Sequence, residues 1–108
     1  MLEIKTIDQF KDFLKSSSDA PVYLIKHSTR CPVSTYALEQ YKSFLESHPG
    51  SERHAFLDLI QYRDVSNFIA ESTKVQHQSP QVLRFENQQA TWHANHSDIT
   101  LEALRNNL

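Results

Sequence analysis

Apolar residues recur along the chain in two rhythms, the three- and four-residue steps of helices and the short unbroken runs of buried strands. Residues 6–9 have the form of a capping box, and Ile7, Phe10 and Phe13 follow at helical spacing. This pattern predicts a first helix that ends near residues 16–18. Residues 22–25 are apolar at every position and predict a strand covered on both faces.

A longer helix and a second buried strand come next. Proline is favoured at the first position of a helix, and the apolar residues after Pro32 recur at three- and four-residue steps as far as Phe44. We expect a helix of about 15 residues here, with residues 48–51 as its stop. Residues 55–60 predict another buried strand, and Asp64 is placed to cap a short helix behind it.

The last third of the chain predicts a hairpin and a final helix. The β-rich segments 82–85 and 91–94 flank the turn residues 87–89. Thr100 can cap a helix through Leu108, with Ile99 and Leu104 placed as a hydrophobic staple. Parallel strands joined by helices and closed by a hairpin give an α/β fold, with a mixed four- to five-stranded sheet flanked by helices.

Length and composition limit the classes of protein that fit. The 108 residues make one domain, 1–108, and the single cysteine excludes an internal disulfide framework and a cysteine-rich zinc site. The net charge of −2, with both signs interspersed, disfavours nucleic-acid binding by a broad basic face. No secretory leader and no apolar stretch of about 20 residues is present, so we expect a soluble, cytoplasmic protein without membrane partners.

The most informative segment is residues 29–34, Thr-Arg-Cys-Pro-Val-Ser, where the first buried strand leads into the long helix. A thiol at this place faces the positive end of a helix dipole, with Arg30 beside it. Both features favour the thiolate of Cys31, which is the nucleophile in thiol–disulfide exchange. A lone cysteine can equally be a small buried apolar residue, so the surrounding pattern decides the interpretation.

A proline later in the chain strengthens the redox interpretation. Ser79 and Pro80 stand just before the hairpin strand, where a cis peptide bond would turn the backbone of Ser79 toward the thiol. We expect this bond to be cis and to lie beside Cys31.

Strand, Cys-x-x-Ser, helices and pre-hairpin proline, in this order, resemble the thioredoxin superfamily over almost the whole chain. More narrowly, residues 27–34 (His-Ser-Thr-Arg-Cys-Pro-Val-Ser), residues 79–82 (Ser-Pro-Gln-Val) and residues 99–100 (Ile-Thr) resemble the monothiol bacilliredoxins of bacillithiol-producing bacteria. The resemblance implies a thioredoxin-like fold and reduction of mixed disulfides between proteins and the low-molecular-weight thiol bacillithiol.

Site roles follow from this resemblance by position. Cys31 is the nucleophile, Pro80 is the cis proline, and Ser34 stands where a dithiol thioredoxin has its resolving cysteine. A monothiol route is then the only one open, with bacillithiol as co-substrate, bacillithiolated proteins as partners and no tightly bound cofactor. The substrate-binding residues implied or suggested by the motif are Thr29, Arg30, Pro32, Ser34, Ser79 and Pro80.

Several side chains near the motif have two interpretations each. Ser34 could hydrogen-bond the thiolate or face solvent, and Arg30 could steer the malate carboxylates of bacillithiol or be solvated. His27 could give a proton to a departing thiolate or simply be packed. Asp58 could be a buried carboxylate that moves protons beneath the site, or could face solvent at a strand edge.

Two other functions remain open from the sequence. Monothiol relatives with Cys-x-x-Ser can carry an iron–sulfur cluster between two chains, although Pro32 removes an N–H where those proteins typically have glycine. The fold could also serve as a redox-silent adaptor with Cys31 incidental. The five histidines other than His27, at positions 48, 54, 77, 93 and 96, show no metal-binding spacing with Cys31, so we expect no metal site.

Overall fold

A computed structural model describes all 108 residues of the chain. The five strands are β1 (Leu2–Glu3), β2 (Val22–His27), β3 (His54–Asp58), β4 (Gln81–Glu86) and β5 (Gln89–Asn95). The four α-helices are α1 (Ile7–Ser16), α2 (Pro32–Ser47), α3 (Arg63–Thr73) and α4 (Leu101–Arg105), and short 3₁₀ turns cover Ser51–Arg53 and His96–Asp98. No helix is long and apolar enough to cross a membrane.

The strands form one mixed sheet in the order β1-β3-β2-β4-β5, which confirms the predicted architecture. β1 and β2 both run parallel to β3, while β4 is antiparallel to β2 and β5 to β4. β2 lies at the centre of the sheet and is buried at all six positions. Its C-terminal end leads through residues 28–31 into α2, so these connecting residues lie at this end of the sheet.

The two faces of the sheet bury different helices. Leu24 of β2 belongs to a core cluster with residues of α1 and α3, such as Phe10 and Ile69. Tyr23 and Ile25 belong to the opposite cluster, with residues of α2 and α4. Because side chains alternate along a strand, the last two residues of β2 also point to opposite faces.

Local signals account for the ends of several elements. Thr6 Oγ1 accepts the N–H of Gln9 at 3.1 Å, and Thr100 Oγ1 accepts the N–H of Ala103 at 3.1 Å, so both predicted caps are confirmed. The hairpin is confirmed with a two-residue turn. Asn87 and Gln88 both have positive φ, as a tight hairpin turn requires.

Several predicted boundaries were wrong, including those at Asp64, after Asp58 and near the C-terminus. Asp64 is not a cap: α3 begins at Arg63 after Tyr62, and the carboxylate stands in the first turn, near the positive end of the helix dipole. β3 ends at Asp58 because the chain turns there, with Asp58 Oδ1 accepting the N–H of Ile60 at 3.1 Å. The last helix, predicted to reach the C-terminus, has its last regular residue at position 105.

Candidate active site

Cys31 stands at the junction of the central strand and the longest helix. It is the N-cap residue of α2, with extended backbone angles of φ −115° and ψ 119°, and Pro32 takes the first helical position. Its N–H donates to Ser28 O at 3.3 Å, and its carbonyl accepts the N–H of Thr35 at 3.1 Å. The turn and the helix therefore fix the backbone of Cys31 on both sides, while the thiol itself is half-exposed.

Unpaired donors surround the cap position. The N–H groups of Val33 and Ser34 have no acceptor in the chain, and Pro32 has no N–H at all. A serine or aspartate cap would use its oxygen to accept one of these N–H groups, whereas here the cap side chain is a thiol that makes no such bond. This end of the helix thus offers donors and the positive end of the dipole to an anion at the cap position.

Ser34 is fully buried and faces the end of β2 rather than solvent. Its Oγ accepts the N–H of Ser28 at 2.9 Å and lies 2.8 Å from Nδ1 of His27. No hydrogen bond joins it to the sulfur of Cys31. Neither interpretation of this residue from the sequence describes its place: the hydroxyl ties the strand end to the first turn of α2.

His27 and Asp58 are register partners on neighbouring strands. Burial lowers the pKa of His27, and the bond to Ser34 and the charge of Asp58 partly oppose this effect while Lys42 adds to it. Asp58 is half-buried, and its Oδ1 accepts the N–H groups of Ile60 and Gln61. The carboxylate therefore shapes the turn before α3 and acts on His27 only through its charge.

The surface around the thiol is formed by exposed side chains. Thr29, Arg30 and Pro32 are all exposed beside Cys31. Two large apolar side chains in the first turns of α2 are also exposed, Val33 at 43% and Tyr36 at 52%.

The predicted cis bond between Ser79 and Pro80 is confirmed. Gln81, the next residue, pairs with Lys26 near the end of β2, so Pro80 lies at the same end of the sheet as the turn that carries Cys31. Pro80 is buried, and its carbonyl accepts the N–H of His96 at 3.0 Å. The N–H and C=O of Ser79 have no partner in the chain, so this residue keeps both groups free for a bound molecule.

Neither of the two surface clefts of the protein includes the thiol. The larger, of about 360 Å³, lies between β1 and α1 and is lined by residues such as Ile4 and Phe13. The smaller lies between the C-terminal ends of α1 and α3 and the hairpin turn. Cys31 therefore lies on an open part of the surface.

A family model described as monothiol bacilliredoxin BrxC matches residues 2–104. The match covers nearly the whole chain, including the cap cysteine and the cis proline. The chain belongs to the monothiol bacilliredoxin family. The family and the fold are those of thiol oxidoreductases, and the single cysteine of this member leaves Cys31 as its only thiol.

Solved structures share the fold of this chain. A protein described as a candidate oxidoreductase with a thioredoxin fold is 33% identical, with a TM-score of 0.88 over 97% of this chain and 90% of that chain. A thioredoxin from Fasciola hepatica is 12% identical and matches 98% of this chain and 94% of its own at a TM-score of 0.77. Oxidized mitochondrial thioredoxin 3 from Saccharomyces cerevisiae is 15% identical, at 0.75 over 98% and 91%. The last two show the thioredoxin fold alone.

One buried polar residue near the bacilliredoxin motif was missed by the sequence interpretation. Lys26 is fully buried in β2, and burial lowers the pKa of its ammonium group to about 8. The predicted strand stopped at residue 25, just before this lysine. The signal in the sequence was the position of Lys26, which directly continues the apolar run 22–25 with no loop residue before the motif. This position indicates a buried ammonium group.

Proposed function

We propose that this bacilliredoxin-family protein removes bacillithiol from protein mixed disulfides through Cys31. The observation that carries the proposal is the half-exposed thiol of Cys31 at the N-terminus of α2, the only thiol in a chain of this family. A monothiol protein cannot close an internal disulfide. It must therefore hold the leaving thiol as a mixed disulfide until a second molecule resolves it.

The proposed reaction has two exchange steps. The thiolate of Cys31 attacks the bacillithiol sulfur of the client's mixed disulfide, a new S–S bond forms to Cys31, and the client leaves as a thiolate that takes a proton from water. A second low-molecular-weight thiolate then attacks the bacillithiol sulfur bound to Cys31. This step regenerates the Cys31 thiolate and releases the small disulfide. Each cycle therefore reduces one client cysteine and oxidises one external thiol, which leaves in a disulfide with bacillithiol.

The open surface around Cys31 supports a protein as the partner. A mixed disulfide on a folded client is bulky, and a half-exposed thiol outside both clefts can reach it. The free backbone groups of Ser79 can pair with an extended segment of the client, as a strand edge does in peptide recognition. The exposed guanidinium of Arg30 supplies positive charge for the malate carboxylates of bacillithiol.

A reducing compartment fits this chemistry. Cys31 would be kept as a free thiol between cycles only where small thiols are abundant, as in the cytoplasm. We therefore propose a cytoplasmic location. The proposal also includes bacillithiol as co-substrate, no tightly bound cofactor and no nucleic-acid or membrane partner.

Intact mass spectrometry tests the proposal directly. A client protein carrying one bacillithiol is mixed with the reduced protein, and we expect the bacillithiol mass to move to Cys31 while the client gains a free thiol. The Cys31→Ser variant is expected to show no transfer. The same client carrying glutathione is the matched substrate control, and we expect slower transfer from it.

Each other outcome contradicts a defined part of the proposal. Equal rates with both adducts would retain thiol exchange but overturn the preference for bacillithiol. No transfer from either adduct would overturn the enzymatic proposal and favour the adaptor. A brown protein with visible absorbance after anaerobic reconstitution with iron and sulfide, together with no transfer, would favour an iron–sulfur carrier.

A further inference from the structure

Lys26 is a buried ammonium group with no acidic partner. It is 0% exposed, and neither of the two ion pairs of the protein involves it. Its Nζ donates to the carbonyl of Ser66 on α3 at 3.2 Å and lies 3.4 Å from Nδ1 of His77. Since an ammonium group only donates, the imidazole nitrogen is the acceptor in this contact.

His77 belongs to the loop that ends at the cis proline. Its Nδ1 also lies 3.2 Å from Oγ of Ser66, so the ring contacts both the central strand and α3. Residues 74–79 make no backbone–backbone hydrogen bond, although they lead directly to Pro80. These residues belong to the loop called here the α3–β4 loop (residues 74–80). Before its last residue, Pro80, which accepts the N–H of His96, the loop is held by side-chain contacts.

Gln81 provides a second side-chain contact to the same loop. It is the register partner of Lys26, is fully buried, and donates from Nε2 to the carbonyl of Gln76 at 3.0 Å and to Oδ1 of Asn95 at 2.9 Å. Two neighbouring buried residues of the sheet thus hold two successive residues of the loop. Lys26 acts on the side chain of His77, and Gln81 acts on the backbone of Gln76.

We propose that Lys26 is a positioning residue that, through His77, holds the α3–β4 loop so that Ser79 presents its free backbone groups at the end of the sheet where Cys31 lies. The inference rests on the proposed function, because Ser79 pairs with the client only if the protein acts on protein mixed disulfides. Lys26 touches no reacting atom, so its effect falls on docking of the client and not on the thiol.

The energetics of the site support a functional reason for the lysine. Burying an ammonium group without a carboxylate costs free energy, and replacing such a group by an apolar side chain of similar size is often neutral or stabilising. A residue that only served stability would be apolar here, like Leu24 on the same face. The lysine instead makes polar contacts to the loop that a methionine cannot make.

Three variants measured on bacillithiol transfer test this role. Lys26→Met keeps the chain length of the side chain and removes its donors, and His77→Leu removes the acceptor, whereas His77→Asn keeps an acceptor near the place of Nδ1. We expect KM for the bacillithiolated client to rise about tenfold in the first two, with kcat changed less than about twofold, and to be largely restored in His77→Asn. Lys74→Met, an exposed lysine of the same loop, is the matched control and should leave KM unchanged.

Two further readouts separate docking from general damage. Alkylation of Cys31 by a small neutral reagent should proceed at the wild-type rate in Lys26→Met, because the reagent needs no docking surface. NMR order parameters for residues 74–79 should fall in Lys26→Met and stay at the wild-type value in Lys74→Met. The double variant Lys26→Met/His77→Leu should raise KM no more than either single change, because both remove one contact.

The outcomes distinguish this inference from the proposed function. If the wild-type protein transfers no bacillithiol, the proposed function fails, and the order parameters alone decide whether Lys26 holds the loop. If the wild-type protein is active and Lys26→Met changes neither KM nor the order parameters, the positioning role is overturned. A fall in kcat with unchanged KM, or a slower alkylation of Cys31, would also overturn it and assign Lys26 to the thiol.

Discussion

Ser34 Oγ lies 2.8 Å from Nδ1 of His27, so the hydroxyl in the position of a resolving cysteine is hydrogen-bonded to the strand behind it. The same oxygen accepts the N–H of Ser28 at 2.9 Å. The contact links the end of β2 to the first turn of α2 across the turn that presents Cys31. The fourth residue of the motif thus contributes to the geometry of the site without contacting the sulfur.

Removal of this hydroxyl should loosen the junction. We expect Ser34→Ala to lower the free energy of unfolding by about 1–3 kcal/mol, because the N–H of Ser28 and the imidazole of His27 lose a buried partner. Denaturant unfolding monitored by circular dichroism measures the change. Ser43→Ala, an exposed serine on the same helix, is the matched control and should stay within about 0.5 kcal/mol of wild type. Equal stability of the two variants would contradict the bridging role of Ser34.

A thiol in place of the same hydroxyl should create a dithiol site. Positions 31 and 34 are three apart at a helix start and share one face, so we expect Ser34→Cys to form an internal disulfide under mild oxidation. Thiol titration should then count two thiols before oxidation and none after it, with the protein still monomeric on a non-reducing gel. Val33→Cys, two positions from Cys31, is the control and should keep both thiols or form dimers. Free thiols in both variants would contradict the helix start described here.

The local parts of the fold and site were predictable because their signals are short. The helix start after Cys31 follows from Pro32 and the apolar period behind it, and the cis proline follows from the position of Pro80 before a hairpin strand. The strand at residues 22–25 was recognised from its apolar run, but not its two polar residues, since burial of a lysine and a histidine depends on what packs over them.

The contacts between distant residues were not predictable from one sequence. His27 meets Ser34 across 7 residues and Lys26 meets His77 across 51, and no local pattern encodes either distance. Asp64 has the residue type of a cap, and a cap there would make residue 65 the first residue of the helix. The preceding turn, closed by Asp58, instead makes Arg63 the first residue, two positions earlier. Tertiary packing decides such cases over residue preference.

Acid should destabilise the protein through His54. This histidine is 0% exposed, hydrogen-bonds to the hydroxyl of Tyr41 and to the carbonyl of His48, and burial lowers its pKa from 6.5 to about 4. As pH falls, the unfolded chain binds the proton first. The contribution of His54 to the free energy of unfolding is therefore fully present above pH 6.5 and is lost between pH 6.5 and 4.

Protonation of His54 should lower the free energy of unfolding by about 3 kcal/mol. Denaturant midpoints measured from pH 7 to pH 4 should therefore fall less steeply in His54→Gln than in wild type. His93→Gln, an exposed histidine on β5, should keep the wild-type slope. Parallel slopes for His54→Gln and wild type would show that this ring is not held neutral in the folded state.

Mild alkali should have the opposite effect through Lys26. Its pKa is lowered from 10.5 to about 8, so between these values the folded state has released a proton that the unfolded chain still binds. Stability should consequently rise with pH in this window. We expect an increase of about 1–2 kcal/mol between pH 8 and 9.5, a range that stays below the titration of unfolded tyrosine near 10. Urea unfolding across this range should show the rise in wild type and no rise in Lys26→Met; a flat wild-type profile would contradict a buried ammonium.

Charge beside the thiol should govern how fast an anionic substrate arrives. Arg30 is exposed next to Cys31, and bacillithiol carries the carboxylates of its malate group, so the guanidinium should raise the rate of the first exchange step by attraction in solution. We expect Arg30→Gln to lower kcat/KM for the bacillithiolated client about two- to tenfold at low ionic strength, and the difference from wild type to shrink as salt screens the charge. Arg105→Gln, an exposed arginine on α4, changes the net charge equally and should leave the rate near wild type.

Alkylation by a neutral reagent separates steering from activation. A slower alkylation in Arg30→Gln would mean that the guanidinium acts on the sulfur itself. An unchanged rate with the bacillithiolated client at low salt would remove Arg30 from substrate recognition.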